Sequence, residues 1–316
     1  MVSDSIVTLV DIGASGGVHP RWEGFGDLIR VIGFEPDAQE YAKLQQSDQR
    51  VWHNLALSLR KETRVLHVTR AQTNTSFLKP NHTLLNSLQW APEDPVRDHE
   101  IMADMELECE ALDVVMSEGK VCPDFLKVDT QGSELDILTG AQKTLVDHIL
   151  MVEIEGEFAP IYEKQPLCAD VDSLMRARGF ILHDLGNFLS MKPRGLAGIG
   201  GAKGRLISAD ALYIKDFTSG CHKLYEQGIS KVHAALAGYL AYGYPELGIA
   251  LIRDLHDMGC DIGKSGEILR LLKSVKPSGH PLIHSLPGIR IFAKLCGQLW
   301  FRSEEHTSEL QSRQSI

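Results

Sequence analysis

Between Ser5 and Phe217 the chain alternates short apolar, β-branched runs with amphipathic stretches. Ile6–Ile12 (IVTLVDI), Arg30–Phe34, Arg50–Leu57 and Arg64–Thr69 are too short for helices and suit a pleated surface, which predicts strands. The first is apolar almost throughout, as in a strand covered on both faces. Helices are predicted over 20–29 and 37–46, the second with Asp37 as N-cap. The polar segment Gln72–Glu100 reads as a loop excursion, and long connections in compact domains are commonly functional. Further on come a helix over 110–117, a strand over 124–128, a helix over 133–145, a strand over 148–153 and a helix over 171–178. Strands over 180–185 and 211–216 complete the series. Strands alternating with helices predict βαβ units and an α/β, doubly wound, mostly parallel sheet.

After Gly220 the pattern changes to helices alone, over 223–242, 246–258, 264–273 and 289–300. The expected division is therefore a nucleotide-binding domain over 1–219 and a helical appendage over 220–301. Ala234–Ile252 is apolar enough to raise the question of a membrane, but Pro245-Glu246 interrupts it, and that break is costly in hydrocarbon. Two short packed helices are the expectation. The N-terminus lacks the basic region and apolar core of a signal peptide, so the chain is read as soluble and cytoplasmic. The string RSEEHTSELQS at 302–312 matches the in-frame translation of a sequencing-library adapter, and 302–316 is set aside as non-native.

Charge narrows the partners. Thirty-two basic against 42 acidic residues give −10, with no dense basic run to displace counterions from nucleic acid. A small-molecule or glycan acceptor is expected instead, and homo-oligomerisation is left open. The six cysteines include no CxxC pair, which argues against a zinc knuckle or a disulfide framework.

The candidate chemistry sits at strand ends. In Val10-Asp11-Ile12-Gly13-Ala14-Ser15-Gly16-Gly17, an apolar strand ends in an acid and enters a glycine-rich turn. Such a turn at the carboxyl edge of the first strand is where doubly wound sheets bind nucleotides. The spacing departs from GxGxxG, and Asp11 would repel a pyrophosphate while suiting the amino group of S-adenosylmethionine, a phosphate-free ligand. Glu35, in Gly33-Phe34-Glu35-Pro36, closes the second strand where a carboxylate can accept hydrogen bonds from both ribose hydroxyls. Asn54 ends the third strand, where an adenine edge can be read or a turn simply made. Asp129 ends the strand before Gly132, placed to orient substrate, take a hydroxyl proton or help hold a divalent metal. Ser133 is a candidate N-cap, with Asp136 in a capping-box-like position. Lys127 reads as a snorkelling surface residue. Glu153, Glu155 and Glu157 alternate onto one face, as a metal or sugar-hydroxyl site on one reading and a solvated strand end on the other.

Residues 10–17, 33–36 and 126–141, taken together, resemble the FkbM family of methyltransferases, whose long signature runs LK-x-D-x-x-G-x-E-x-x-x-L-x-GA. The resemblance covers about 6–217. It implies a seven-stranded class I sheet with the last strand antiparallel, S-adenosylmethionine as donor, and a hydroxyl acceptor, often on a sugar. By match it places Asp11, Gly13, Ala14, Ser15 and Gly16 along the donor's methionine part and Glu35 with Pro36 at the ribose. Asp129 and Glu134 fall on the signature's acids and, with Glu155, are the candidate catalytic residues. Gln131 stands where many relatives carry an acid, so no catalytic role is assigned to it. The rival readings are an NAD-dependent oxidoreductase, which lacks phosphate-compatible glycine spacing here, and a non-catalytic S-adenosylmethionine-binding module.

Overall fold

The structure is a computed structural model and describes residues 7–89, 94–201, 203–217 and 220–274. Its strands are β1 (Val7–Ile12), β2 (Ile29–Phe34), β3 (Arg50–His53), β4 (Ala56–Ser58), β5 (Glu62–Thr69), β6 (Leu88–Gln89), β7 (Ile101–Ala111), β8 (Phe125–Val128), β9 (Met151–Glu157), β10 (Phe180–Pro193) and β11 (Arg205–Lys215). Eight form one sheet in the order β3-β2-β1-β8-β9-β11-β10-β6. The pairs from β3 to β9 are parallel, and β11 runs antiparallel to both β9 and β10. The expected seven strands are present, with the last one reversed. The two-residue β6 adds an eighth at the edge.

Alternate residues of the central strands feed two cores, because successive side chains leave a strand on opposite faces. Val10, Ile32, Leu126 and Val152 pack with Leu112, Ile137, Leu145 and Met175 from helices along one face. Leu9, Val31, Phe125 and Met151 pack on the other with Trp22 and with Val232, Leu236, Leu240 and Ile252. The connections after β1 and β2 are too slight to cover that second face. They form a 3-10 segment, Pro20–Leu28, broken at Gly26, and a four-residue helix, Ala38–Tyr41, where longer helices were expected. Asp37 does cap the latter, accepting from the amides of Gln39 and Glu40.

The cover comes from Cys221–Glu226, Ile229–Tyr242, Pro245–Asp257 and Ser265–Ser274. Among the described residues, these helices share one core with this face of the sheet. Gly238 allows the closest approach, since a Cβ there would lie 2.4 Å from the Phe125 ring. The apolar stretch 234–252 divides at left-handed Gly243 and Pro245, as expected. Among the described residues, no helix is long and apolar enough to cross a membrane. The helix expected over 289–300 and the tail 302–316 lie outside the described residues.

A second sheet, β4-β7-β5, changes two expectations. The predicted strand 50–57 splits at Asn54-Leu55, so that β3 and β4 join different sheets. β7 occupies 101–111, where no strand was expected. The excursion 72–100 contains a 3-10 turn at Gln72–Asn74 and helices at His82–Ser87 and Pro95–Asp98. The helix predicted over 133–145 breaks at Gly140-Ala141 because Gly140 packs on β4, where a Cβ would meet the Ser58 carbonyl at 2.4 Å.

Candidate active site

The sheet order reverses at β1, which lies between β2 and β8, and the carboxyl ends of these strands open a crevice. The glycine turn after β1 folds back tightly. The amides of Gly13 and Ala14 both donate to the Phe34 carbonyl, and the Asp129 amide donates to the Ile12 carbonyl. Gly13 has φ +81°, and a Cβ there would lie 1.9 Å from the Asp129 carbonyl oxygen. The first and fourth parallel strands can therefore end this close together only with glycine at position 13.

A cavity of about 320 Å³ fills the crevice. Gly13, Ser15, Glu35 and Pro36 form one wall, and Lys127, Asp129, Gln131, Ser133 and Glu155 form another. Leu57 and Leu66 of the small sheet join Gln72, Thr73, Thr75 and Phe77 to close the third side. The excursion after β5 thus shapes the cavity, as its length suggested.

Several candidate residues sit beside the cavity and hold its frame. Asn54 donates its side-chain amide to the carbonyls of Glu35 and Pro36, fixing the turn after β2 from behind. Glu134 spends its carboxylate on the turn after β8, accepting from the amides of Thr130 and Gly132 and from the Thr130 hydroxyl. It is buried and outside the cavity lining, which leaves it a framework residue and not one that meets a substrate. Ser133 makes no side-chain cap, and Asp136 pairs with Arg64 at 2.9 Å instead of completing a capping box. Ala14 is buried against the core.

Asp11 stands behind the cavity wall, 1% exposed, with its Oδ1 3.6 Å from the Lys127 ammonium. Burial raises its carboxyl to about 6, against the pull of Lys127. Lys127 is thus a member of the site and not a surface residue. Burial opposes its charge, but Asp11, Asp129 and Glu153 together hold its ammonium well above the ordinary lysine value. Glu35 accepts from the Asp37 amide at 2.9 Å, and burial pushes its carboxyl up to about 7.

The acids of β9 are not a solvated strand end. Glu153 is buried, held by Arg21 at 3.1 Å and by the Tyr242 hydroxyl at 2.8 Å. Glu157 is also buried, and its Oε2 has no hydrogen-bond partner. Glu155 reaches the cavity and accepts from the Gln131 side-chain amide. Burial, then the charges of Asp129 and Glu157, raise the Glu155 carboxyl to about 10. Gln131, at φ +56°, also accepts from the Tyr162 hydroxyl and, through its carbonyl, from Ser76. Among the described residues, no group of three or more His, Cys, Asp or Glu side chains is placed to hold a metal ion.

A family model for the methyltransferase FkbM domain matches residues 11–182, more than half of the 316-residue chain. The chain belongs to the FkbM methyltransferase domain family. The matched span of the FkbM domain runs from Asp11 into β10 and includes every cavity-lining strand end. No curated protein sequence matches the chain. Among solved structures, it is similar to an FkbM methyltransferase from Methylobacillus flagellatus, at 17% identity and TM-score 0.33 over 67% of this chain and 44% of that one. It is similar also to the magnesium protoporphyrin IX methyltransferase of Synechocystis with bound SAM, at 10% identity and TM-score 0.31 over 66% and 70% of the two chains. A TehB-like SAM-dependent methyltransferase from Corynebacterium glutamicum matches at 11% identity and TM-score 0.29, over 67% and 82%. The chain spans less than half the length of the first of these.

Proposed function

We propose that this chain is an S-adenosylmethionine-dependent methyltransferase acting on a hydroxyl of a sugar, glycan or related secondary metabolite. The observation that carries the reading is the charge of the cavity at the switch point. Glu35, Asp37 and Asp129 line it against Lys127, the one ammonium among the described lining residues, and Glu155 adds a carboxyl that burial keeps protonated. An acidic cavity suits a donor with a sulfonium and an ammonium and no phosphate, and it opposes a dinucleotide's pyrophosphate. Glu35 beside the Gly13–Ser15 turn is the acceptor for the ribose hydroxyls. When bound, the donor supplies an electrophilic methyl group on sulfur.

The remaining work falls to the chain, which has to align an acceptor hydroxyl with that methyl and take its proton. Asp129 fits the first role, on the donor's side of that alignment. Its side chain is 44% exposed and lines the cavity, with Lys127 Nζ 3.4 Å from its Oδ2. Glu155, protonated at neutral pH, fits the donation of a hydrogen bond and not the removal of a proton.

Calorimetry with S-adenosylmethionine, S-adenosylhomocysteine and NAD tests the reading. The first two should bind and NAD should not, and binding of NAD alone would overturn it. Glu35→Ala should weaken donor binding about ten- to hundredfold, the loss of charge-assisted hydrogen bonds worth about 1.5–3 kcal/mol. Unchanged affinity would remove the ribose assignment. Donor binding without methyl transfer to any hydroxyl acceptor would favour the non-catalytic module.

A further inference from the structure

Asp11, Lys127 and Glu153 are in register across β1, β8 and β9, so their side chains leave the sheet on one face as a row of acid, base, acid. The outer acid needs nothing from the lysine, since Arg21 and Tyr242 already hold Glu153 at 3.1 and 2.8 Å. The ammonium stands 3.6 Å from Asp11 and 3.4 Å from Asp129. Both distances exceed the usual 2.7–3.2 Å of an N–H···O bond. A lysine serving only to neutralise Asp11 would close on it, because Asp11 Oδ1 is buried without a hydrogen-bond partner. Lys127 instead stands off from Asp11, keeps a long hydrogen bond to Asp129 and reaches the cavity, where it is the one cation among the described lining residues.

We propose that Lys127 binds the α-carboxylate of the methyl donor, with Asp129 beside it receiving the donor's α-ammonium. The assignment rests on the reading that the donor is S-adenosylmethionine. An ammonium and a carboxylate held side by side on the cavity wall complement the paired charges of an amino-acid head. The Gly13 turn brings the Asp129 backbone against the end of β1, which sets this pair beside the wall that carries Glu35. One end of the cavity then recognises the ribose and the other the amino acid. Asp11 acts through Lys127, keeping its ammonium charged and aimed.

Decarboxylated S-adenosylmethionine separates this role from a general electrostatic one. It lacks the carboxylate and is the more cationic ligand, so the acidic lining by itself would favour it. The wild-type protein should instead bind S-adenosylmethionine about ten- to hundredfold more tightly in calorimetry. Lys127→Met should lose that preference by weakening S-adenosylmethionine alone, and Lys127→Arg should retain most of it. Should Lys127→Met fail to fold around a stranded Asp11, the double variant Asp11→Asn, Lys127→Met carries the same comparison. Equal wild-type affinity for the two ligands would overturn the assignment, as would a variant that weakens both equally. Binding of neither ligand to the wild type would overturn the donor reading and this assignment with it.

Discussion

At Gly13 an added methyl group would lie 1.9 Å from the Asp129 carbonyl oxygen, while at Gly16 it would meet nothing within 4 Å. Both residues have positive φ, so alanine strains the backbone at either place by about 1–2 kcal/mol. Only at Gly13 must two strand ends also move apart. Gly13→Ala should therefore lower the melting temperature more than Gly16→Ala and abolish measurable donor binding in calorimetry. Glu35 carries a second prediction at this scale. Its carboxyl, raised to about 7 chiefly by burial, is mostly protonated at pH 6 and mostly charged at pH 8. Ribose hydroxyls donate to the charged form, so donor affinity should rise across that interval, and Glu35→Gln should flatten the rise. These acids were legible from their places at strand ends. The framework duties of Asn54 and Glu134 were not, because each depends on which backbone groups the folded turns present.

Two elements show where periodicity succeeds and where it is overruled. β7 alternates Met105, Leu107 and Cys109 with Asp104, Glu106, Glu108 and Glu110, a period-two pattern that marks a strand although no strand was assigned there. Its first four residues are exposed, and the acids obscure the apolar half of the pattern. The helix Ile229–Tyr242 is buried nearly all round, from Val232 to Ala241. Its small residues let it lie directly on the sheet, with Gly238 against Phe125 and the Met151 sulfur. Gly238→Val should destabilise the protein by about 1–3 kcal/mol through overpacking, read as a fall in melting temperature. An unchanged melting temperature would mean that the helix does not press on the sheet.

For the molecule as a whole, the covered sheet face makes the last described helices part of one folding unit. A chain cut after Phe217 would expose Leu9, Val31, Phe125 and Met151 together and should fail to give a cooperative thermal transition. The site also sets the pH response. Asp11, Glu35, Glu157 and Glu155 are raised, chiefly by burial, to about 6, 7, 8 and 10. The folded protein therefore holds protons that the unfolded chain releases near the ordinary carboxyl values of 3.8–4.5. The contribution of these groups is complete below those values and is lost as pH rises through the folded ones. The melting temperature should fall between pH 6 and pH 9, and Glu155→Gln, which keeps an acceptor for Gln131, should make the fall shallower.

The sequence by itself determined the alternation of strands and helices, the acid-tipped strand ends and the family, because these depend on neighbours along the chain. Tertiary structure decided what each charged group faces. Lys127 reads from its strand as a surface lysine, yet parallel pairing sets it between Asp11 and Glu153. Helices 221–274 read as an appendage, yet the slight connections after β1 and β2 leave a bare sheet face that they cover. Register across a sheet and the surface left uncovered by other elements are relations between distant segments, and no local pattern carries them.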